Sequence, residues 1–243
     1  MVLEQLLLFI LLALLAEIIG TVGGFGSSLF FVPIAGYFLD FHSVLGITAL
    51  FHVSSNLTKI VLFREGVDRK LILQMGIPAL LFVVAGAFLS RFLNSNLLEL
   101  LLAGFLIIIS LTLIIFKQIH FKPTTGNAIG SGIFSGLIAG LLGTGGAIRG
   151  LALAAFNLKT EVFIATSAVI DLGVDASRSV VYGLNGYLHA HDLYLIPILL
   201  VVSIIGTYIG EKILQHISQQ QFKYIVLGLI LVTGVITGLK AIL

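Results

Sequence analysis

Charge is what this sequence has least of. Of its 243 residues, 10% are charged and 58% hydrophobic, and the mean hydropathy is +1.17. Soluble domains carry about 25% charged residues. A surface this poor in charge argues against a water-soluble fold and leaves lipid as the solvent. The formal net charge is only +2, and no basic stretch carries aromatic readers, so a nucleic-acid partner is not expected. Cysteine is absent, which removes disulfides and thiolate metal sites and leaves the redox compartment open. The first residues contain Glu4 and no Lys or Arg. That is a poor n-region for a cleaved signal, so the first apolar run reads as a retained helix. No G-x-x-x-x-G-K-[ST] segment is present, which argues against direct drive by ATP, and no H-E-x-x-H or G-x-S-x-G segment suggests an enzyme.

What is present is a series of apolar runs, roughly 3–22, 27–39, 44–63, 70–90, 96–116, 126–142, 147–157, 161–182, 192–214 and 222–242. A membrane-spanning helix needs about 20 apolar residues. The fold expected is therefore all-α, a polytopic transmembrane bundle of about eight spans. The runs 27–39 and 147–157 are too short to cross alone and suit half-helices or re-entrant segments.

The order of features repeats. Gly20-Thr21-Val22-Gly23-Gly24-Phe25-Gly26 reads onto Gly140-Leu141-Leu142-Gly143-Thr144-Gly145-Gly146 at an offset of 120. Ile77-Pro78 reads onto Ile196-Pro197 at 119, and Gly86-Ala87-Phe88 onto Gly206-Thr207-Tyr208 at 120. We read residues 1–122 and 123–243 as two transmembrane repeats, a common plan for transporters with a site at the repeat interface. An even number of crossings per repeat makes them parallel, and an odd number inverted. In the eight-span layout, loops 64–70 and 117–122 lie with Lys240 on one side, opposite Arg91, Lys159, Lys212 and Lys223. The positive-inside rule then puts both termini in the cytoplasm, by six cations to four.

Three glycines in four residues weaken a helix by about 1 kcal/mol each relative to alanine. Breaks are expected at Gly23, Gly24, Phe25 and Gly26 and at Gly143, Thr144, Gly145 and Gly146, where freed backbone donors can line a wet cavity. A short helix following each break would aim its positive end at an anion, and Ser27, Ser28 and Thr144 add hydroxyls. Gly132, Gly136 and Gly140 have the small-xxx-small spacing of close helix packing.

Ionisable residues inside a membrane are costly and mark function by default. Asp171, Asp175, Arg178 and Tyr182 share one helix face, and His52, Asn56, Lys59 and Phe63 match them at an offset of 119. Each stripe ends near a cation, so Lys59 and Arg178 can meet around one anion. Against this, Lys59 can snorkel to the headgroups and Arg178 can be neutralised by Asp175. Asp171 reads equally as a proton carrier or as the partner of a cation or of His52. Arg149 follows the second glycine cluster and is read as pairing with substrate or a carboxylate, Glu17 being one candidate. His189 and His191 read as loop residues, and no metal or cofactor is expected.

The duplicated glycine segments, each followed by a helix and a short polar turn, resemble the sulfite exporter TauE/SafE family. In the first half the resemblance rests on Gly20-x-x-Gly23-Gly24-Phe25-Gly26 with Val32-Pro33, on His42 with Gly46-Ile47-Thr48-Ala49, and on Arg64-Glu65-Gly66-Val67-Asp68. In the second it rests on Gly140-x-x-Gly143-Thr144-Gly145-Gly146, on Glu161 with Ala165-Thr166-Ser167, and on Tyr182-Gly183-Leu184-Asn185-Gly186. Position 153 is Leu where a second Pro33 would fall, and His52, Asp171 and Asp175 depart from the family pattern. The resemblance implies a multi-pass transporter of a bacterial or archaeal plasma membrane. It would export small sulfur-containing or organic anions such as sulfite, sulfonates or sulfoacetate. The expectation is thus a secondary transporter of a small anion, with protons as co-substrate, alternating access between repeats, and room for a homo-oligomer. The alternative is an anion channel with the same lining residues.

Overall fold

The computed structural model describes residues 2–24, 26–115, 122–216 and 219–242, with the backbone alone for 219–226. Among these residues the secondary structure is helical throughout, with no strand. The helices are α1 (Leu3–Gly23), α2 (Ser28–Ala35), α3 (Phe41–Leu62), α4 (Arg69–Ser90), α5 (Ser95–Ile115), α6 (Thr125–Leu142), α7 (Gly146–Ala154), α8 (Thr160–Leu184), α9 (Leu195–Leu214) and α10 (Gln219–Ile242). The order long, short, long, long, long runs twice along the chain.

Local chemistry sets these boundaries. Asp40 caps α3 by accepting from the His42 and Ser43 backbone N–H groups at 2.9 and 3.3 Å. Thr124 does the same for α6, accepting from Asn127 N–H at 3.3 Å. Pro78 has no N–H to give the Gln74 carbonyl, and the helix ahead of it widens into π register over Ile72–Gly76. α1 and α6 both end on a left-handed glycine, Gly24 at φ 68° and Gly143 at φ 78°. A residue with a Cβ rarely adopts that conformation. Both chain reversals therefore depend on the glycine clusters.

After each reversal the short helix folds back along its predecessor. A Cβ on Gly20 would lie 2.2 Å from Ser27 Cα, and one on Gly145 would lie 2.1 Å from the Ser135 carbonyl oxygen. Each glycine cluster thus makes a hairpin.

Helix directions follow from the contacts. Gly132, Gly136 and Gly140 of α6 press on Met75, Ala79 and Val83 of α4, so those two run parallel. α1 and α9 run parallel through Glu17 with Gly206 and Thr21 with Gly210. α3 and α8 are antiparallel: Ser43 meets His189 near one end and Asn56 meets Asp175 near the middle. α4 runs with α8, through Gly76 on Ile170 and Gly173 on Leu80. Helices in corresponding places of the two runs therefore point in opposite directions.

These contacts change which loops share a face in the eight-span layout. Among the described residues, six helices are long and apolar enough to cross by length and composition: α1, α3, α4, α5, α6 and α9. α8 is 25 residues long but carries Glu161, Asp171, Asp175 and Arg178. The sequence layout let the chain cross the bilayer at α1 and at α6, whereas each hairpin returns to the face it left, which shifts every later crossing. One face, the loop face, now gathers residues 63–68, 122–124 and 155–159, with Lys159 within 4.0 Å of Glu65. The other, the terminal face, holds the start of α1 and the last turns of α10: Lys240 donates to the Gly36 carbonyl at 2.6 Å and to Glu99 at 3.0 Å. Lys240 is thus not with the 64–70 loop but opposite it. By their place in the helices, Arg64, Arg69, Lys70, Lys122, Lys159, Lys212 and Lys223 belong to the loop face, and Arg91 and Lys240 to the terminal face.

Apolar side chains exposed outside the bundle, such as Leu11, Leu81, Ile108 and Ile204, form the surface that lipid covers. Inside, α2 is encased by Phe9 of α1 and Phe51 of α3, whose rings approach Phe31 at 5.9 and 4.5 Å.

Candidate functional site

The two hairpins enter from opposite faces and meet in the middle. Ser28, at the start of α2, lies within hydrogen-bond distance of Thr144 (Oγ to Oγ1 3.0 Å), next to the start of α7. The positive ends of two short helices thus converge with the middles of α3 and α8 around a cavity of about 40 Å³. It is lined by Gly24, Gly26, Ser27, His52, Asn56, Lys59, Gly143, Gly145, Gly146, Arg149, Asp171, Asp175 and Arg178. All of these carried site expectations from the sequence. Gly23 closes α1 without lining the cavity, and Thr144 sits behind the lining on its bond to Ser28. Phe25 lies outside the described residues.

Three buried ion pairs organise the polar groups. Lys59 donates to Glu17 at 3.1 Å and to Ser55 at 2.7 Å. Glu17 is fully buried and also accepts from Ser27 at 2.5 Å, Thr207 at 2.9 Å, Thr21 at 3.2 Å, and Ser55. A carboxylate this saturated is a fixed anchor. Arg178 donates Nε to Asp175 at 2.8 Å and one Nη to the Ala139 carbonyl at 3.1 Å; its other Nη lies 3.4 Å from His52 Nδ1. Asn56 donates to the second Asp175 oxygen at 2.7 Å. His52 Nε2 in turn meets Ser27 Oγ at 2.9 Å.

The third pair is different. Arg149 gives Nε to Ser167 at 3.3 Å and one Nη to Asp171; its other Nη makes no hydrogen bond among the described residues. It is therefore the arginine with donor capacity left for a ligand. Formal charge around the cavity sums to zero, with Glu17, Asp171 and Asp175 against Lys59, Arg149 and Arg178.

Exposure falls steadily down α8. The side chain of Asp171 is 18% exposed, Asp175 6% and Arg178 2%, and Tyr182 is fully buried. The cavity thus opens beside Asp171 and closes toward the terminal face. There Tyr182 donates to the Gly140 carbonyl at 2.6 Å and stacks on Tyr187 at 5.4 Å, with His42 against Tyr187 at 4.5 Å.

Several sequence expectations change here. Glu17 does not meet Arg149. α1 packs against α9, which lies beside α3, and this delivers Glu17 to Lys59, whereas α7 folds onto α8 and delivers Arg149 to Asp171. Lys59 turns inward to Glu17 and not out to the headgroups. His52 sits between Ser27 and Arg178, away from any bond to Asp171. The Asp175–Arg178 neutralisation considered from the sequence is present. Of the residues not anticipated, Gly20, Thr21, Ala139, Ile164, Ser167, Ala168 and Val174 also line the cavity. Glu17's role as an anchor had a signal, a lone carboxylate deep in an apolar run. Ala139 and Val174 had none, because an apolar residue that lines a cavity looks in sequence like one that packs a core.

The family model for sulfite exporter TauE/SafE matches residues 9–237. No curated protein and no solved structure matches the chain.

Proposed function

The chain belongs to the sulfite exporter TauE/SafE family, a family of sulfite-type membrane transporters, and from that premise we propose a proton-coupled carrier of a small anion in which Arg149 binds the anion and Asp171 takes the proton. The observation that carries this reading is the Arg149–Asp171 pair at the open side of a cavity whose formal charge is balanced. A bare anion entering it would leave an uncompensated buried charge, at a cost of several kcal/mol. A proton on Asp171 releases Arg149 and makes the site net positive by one, so a singly charged anion such as hydrogen sulfite enters with one proton. The short-helix ends and the hydroxyl of Ser28 add donors for the oxygens of an oxyanion.

The cavity volume supports a compact cargo. A water needs about 10–15 Å³ by this measure. A cavity of about 40 Å³ accommodates a few heavy atoms, which favours sulfite over a sulfonate with an organic tail. One-sided exposure supports a carrier over a channel. The two halves are read as inverted repeats that rock about the hairpin tips, exposing the site to one face and then the other.

Orientation follows from the regrouped cations. Seven on the loop face against two on the terminal face assign the loop face to the cytoplasm of a prokaryotic plasma membrane. Both termini then lie outside, and the cavity faces the compartment where an exporter loads. Because the chain has no cysteine, single-cysteine labelling has no background. Glu4→Cys should react with an impermeant maleimide on intact cells, and Lys159→Cys only after permeabilisation. The reverse pattern would invert the assignment.

The functional test uses proteoliposomes with a pH dye inside. A sulfite gradient should move protons in the same direction as sulfite. Arg149→Ala should abolish both movements, and Asp171→Asn should abolish the proton signal. Sulfite flux without proton movement in the native protein would refute the coupling, and undiminished flux in Arg149→Ala would refute the assignment of the anion site.

A further inference from the structure

The loop between α8 and α9 lies on the terminal face, away from the cavity, and gathers groups that neither packing nor transport uses. We propose that His189, His191 and Asp192 form a binding site for a divalent transition metal, with Zn²⁺ the best match to the donor set. One ligand atom from each residue lies within 4.8 Å of the others. The two imidazole rings are parallel to within 5°, with centroids 5.4 Å apart.

The independent observation is Asp192. The residue is only 5% exposed, yet its Oδ2 makes no hydrogen bond. A buried carboxylate oxygen without a partner is costly, and most buried polar atoms are satisfied. This oxygen lies 3.4 Å from His191 Nε2, so it faces the imidazoles. A cation held between them would satisfy it.

The surroundings fit a metal ligand set. His189 Nδ1 lies 2.6 Å from Ser43 Oγ, with Asp40 Oδ2 at 3.6 Å. A proton on Nδ1, shared with Ser43, leaves the Nε2 lone pair free for the metal, and such outer hydrogen bonds commonly orient metal-bound histidines. The His191 side chain is 77% exposed, which provides an entry path and a water for the fourth position. Ligand atoms around tetrahedral zinc are about 3.3–3.6 Å apart, given bonds of about 2.0–2.2 Å. Rotation of the exposed His191 closes the remaining gap. Two imidazoles and one carboxylate suit zinc and its neighbours better than calcium or magnesium, which prefer all-oxygen sites. Because Tyr187 of the same loop stacks on Tyr182, metal capture would brace the closed side of the bundle.

The test is Zn²⁺ affinity of the detergent-purified full chain, free of any polyhistidine tag, by competition with a chromogenic chelator. The expected result is one Zn²⁺ per chain, retained in excess Mg²⁺ and Ca²⁺. His191→Ala and Asp192→Asn should each weaken binding by roughly tenfold or more. His216→Ala, an exposed histidine on the loop face, should not change it. Thermal unfolding without metal checks that each variant is folded. Absence of Zn²⁺ binding by the native chain, or unchanged affinity in folded His191→Ala and Asp192→Asn, would overturn the site.

Discussion

Replacing Arg178 by alanine should destabilise the protein by about 3–5 kcal/mol, because it strands a buried carboxylate. Asp175 would keep only its bond from Asn56, the Ala139 carbonyl would lose a donor, and His52 would lose its charged neighbour. These losses fall where α6, α3 and α8 meet, so the loosened region is the seam between the halves. The measurement is equilibrium unfolding in a fixed detergent. The double variant Arg178→Ala/Asp175→Ala separates the causes, since a coupled pair is non-additive. It should recover a substantial part of the loss, because no lone charge remains. If the double variant is as unstable as the sum of the two single ones, the pair does not act as a unit. Arg149→Ala should be milder, since Asp171 is the most exposed of the three carboxylates and can find water. Stability loss concentrated at Arg178 and flux loss at Arg149 would distinguish the pair that holds the seam from the pair that handles the anion.

Gly136→Ala and Gly140→Ala should each be destabilising by about 1–3 kcal/mol or more, as overpacking is in tight cores. A methyl at Gly136 would lie 2.3 Å from the Ala79 carbonyl oxygen, and one at Gly140 would lie 2.1 Å from that of Val83. Both neighbours are backbone and cannot rotate aside, so the α4–α6 pair must spread. The opposing side is equally tight: a Cβ on Gly86 would meet the Leu137 carbonyl oxygen at 2.3 Å. Gly130→Ala and Gly104→Ala serve as controls. Nothing lies within 4 Å of either added carbon, and alanine favours helix by about 1 kcal/mol over glycine. Melting temperatures should fall for the first pair and hold or rise for the second. A fall in both sets would mean that glycine matters along these helices for a reason other than close approach.

Much of this was legible because membrane chemistry restricts what a sequence can mean. The glycine clusters announced helix breaks, since three glycines in four residues do not sustain a helix. Gly132, Gly136 and Gly140 announced a tight helix contact. The matched stripes pointed to Lys59 and Arg178, and both line the cavity, each held by its own carboxylate. Each signal is local, a spacing or a residue type that lipid makes expensive.

What remained closed depended on which helix lies beside which. Glu17, Asp171 and Asp175 are chemically alike in the sequence. Only the packing of α1 and α3 on α9, and of α7 on α8, decided that the first is saturated by Lys59 and four hydroxyls while the second shares an arginine that has donors to spare. Direction was closed for the same reason. Composition alone makes this a membrane chain, and the apolar runs mark its helices. But whether a 21-residue helix crosses or turns back with its successor depends on a contact such as Gly20 against Ser27, which no run length records. That one difference in each half puts Lys240 at the opposite end of the bundle from the 64–70 loop.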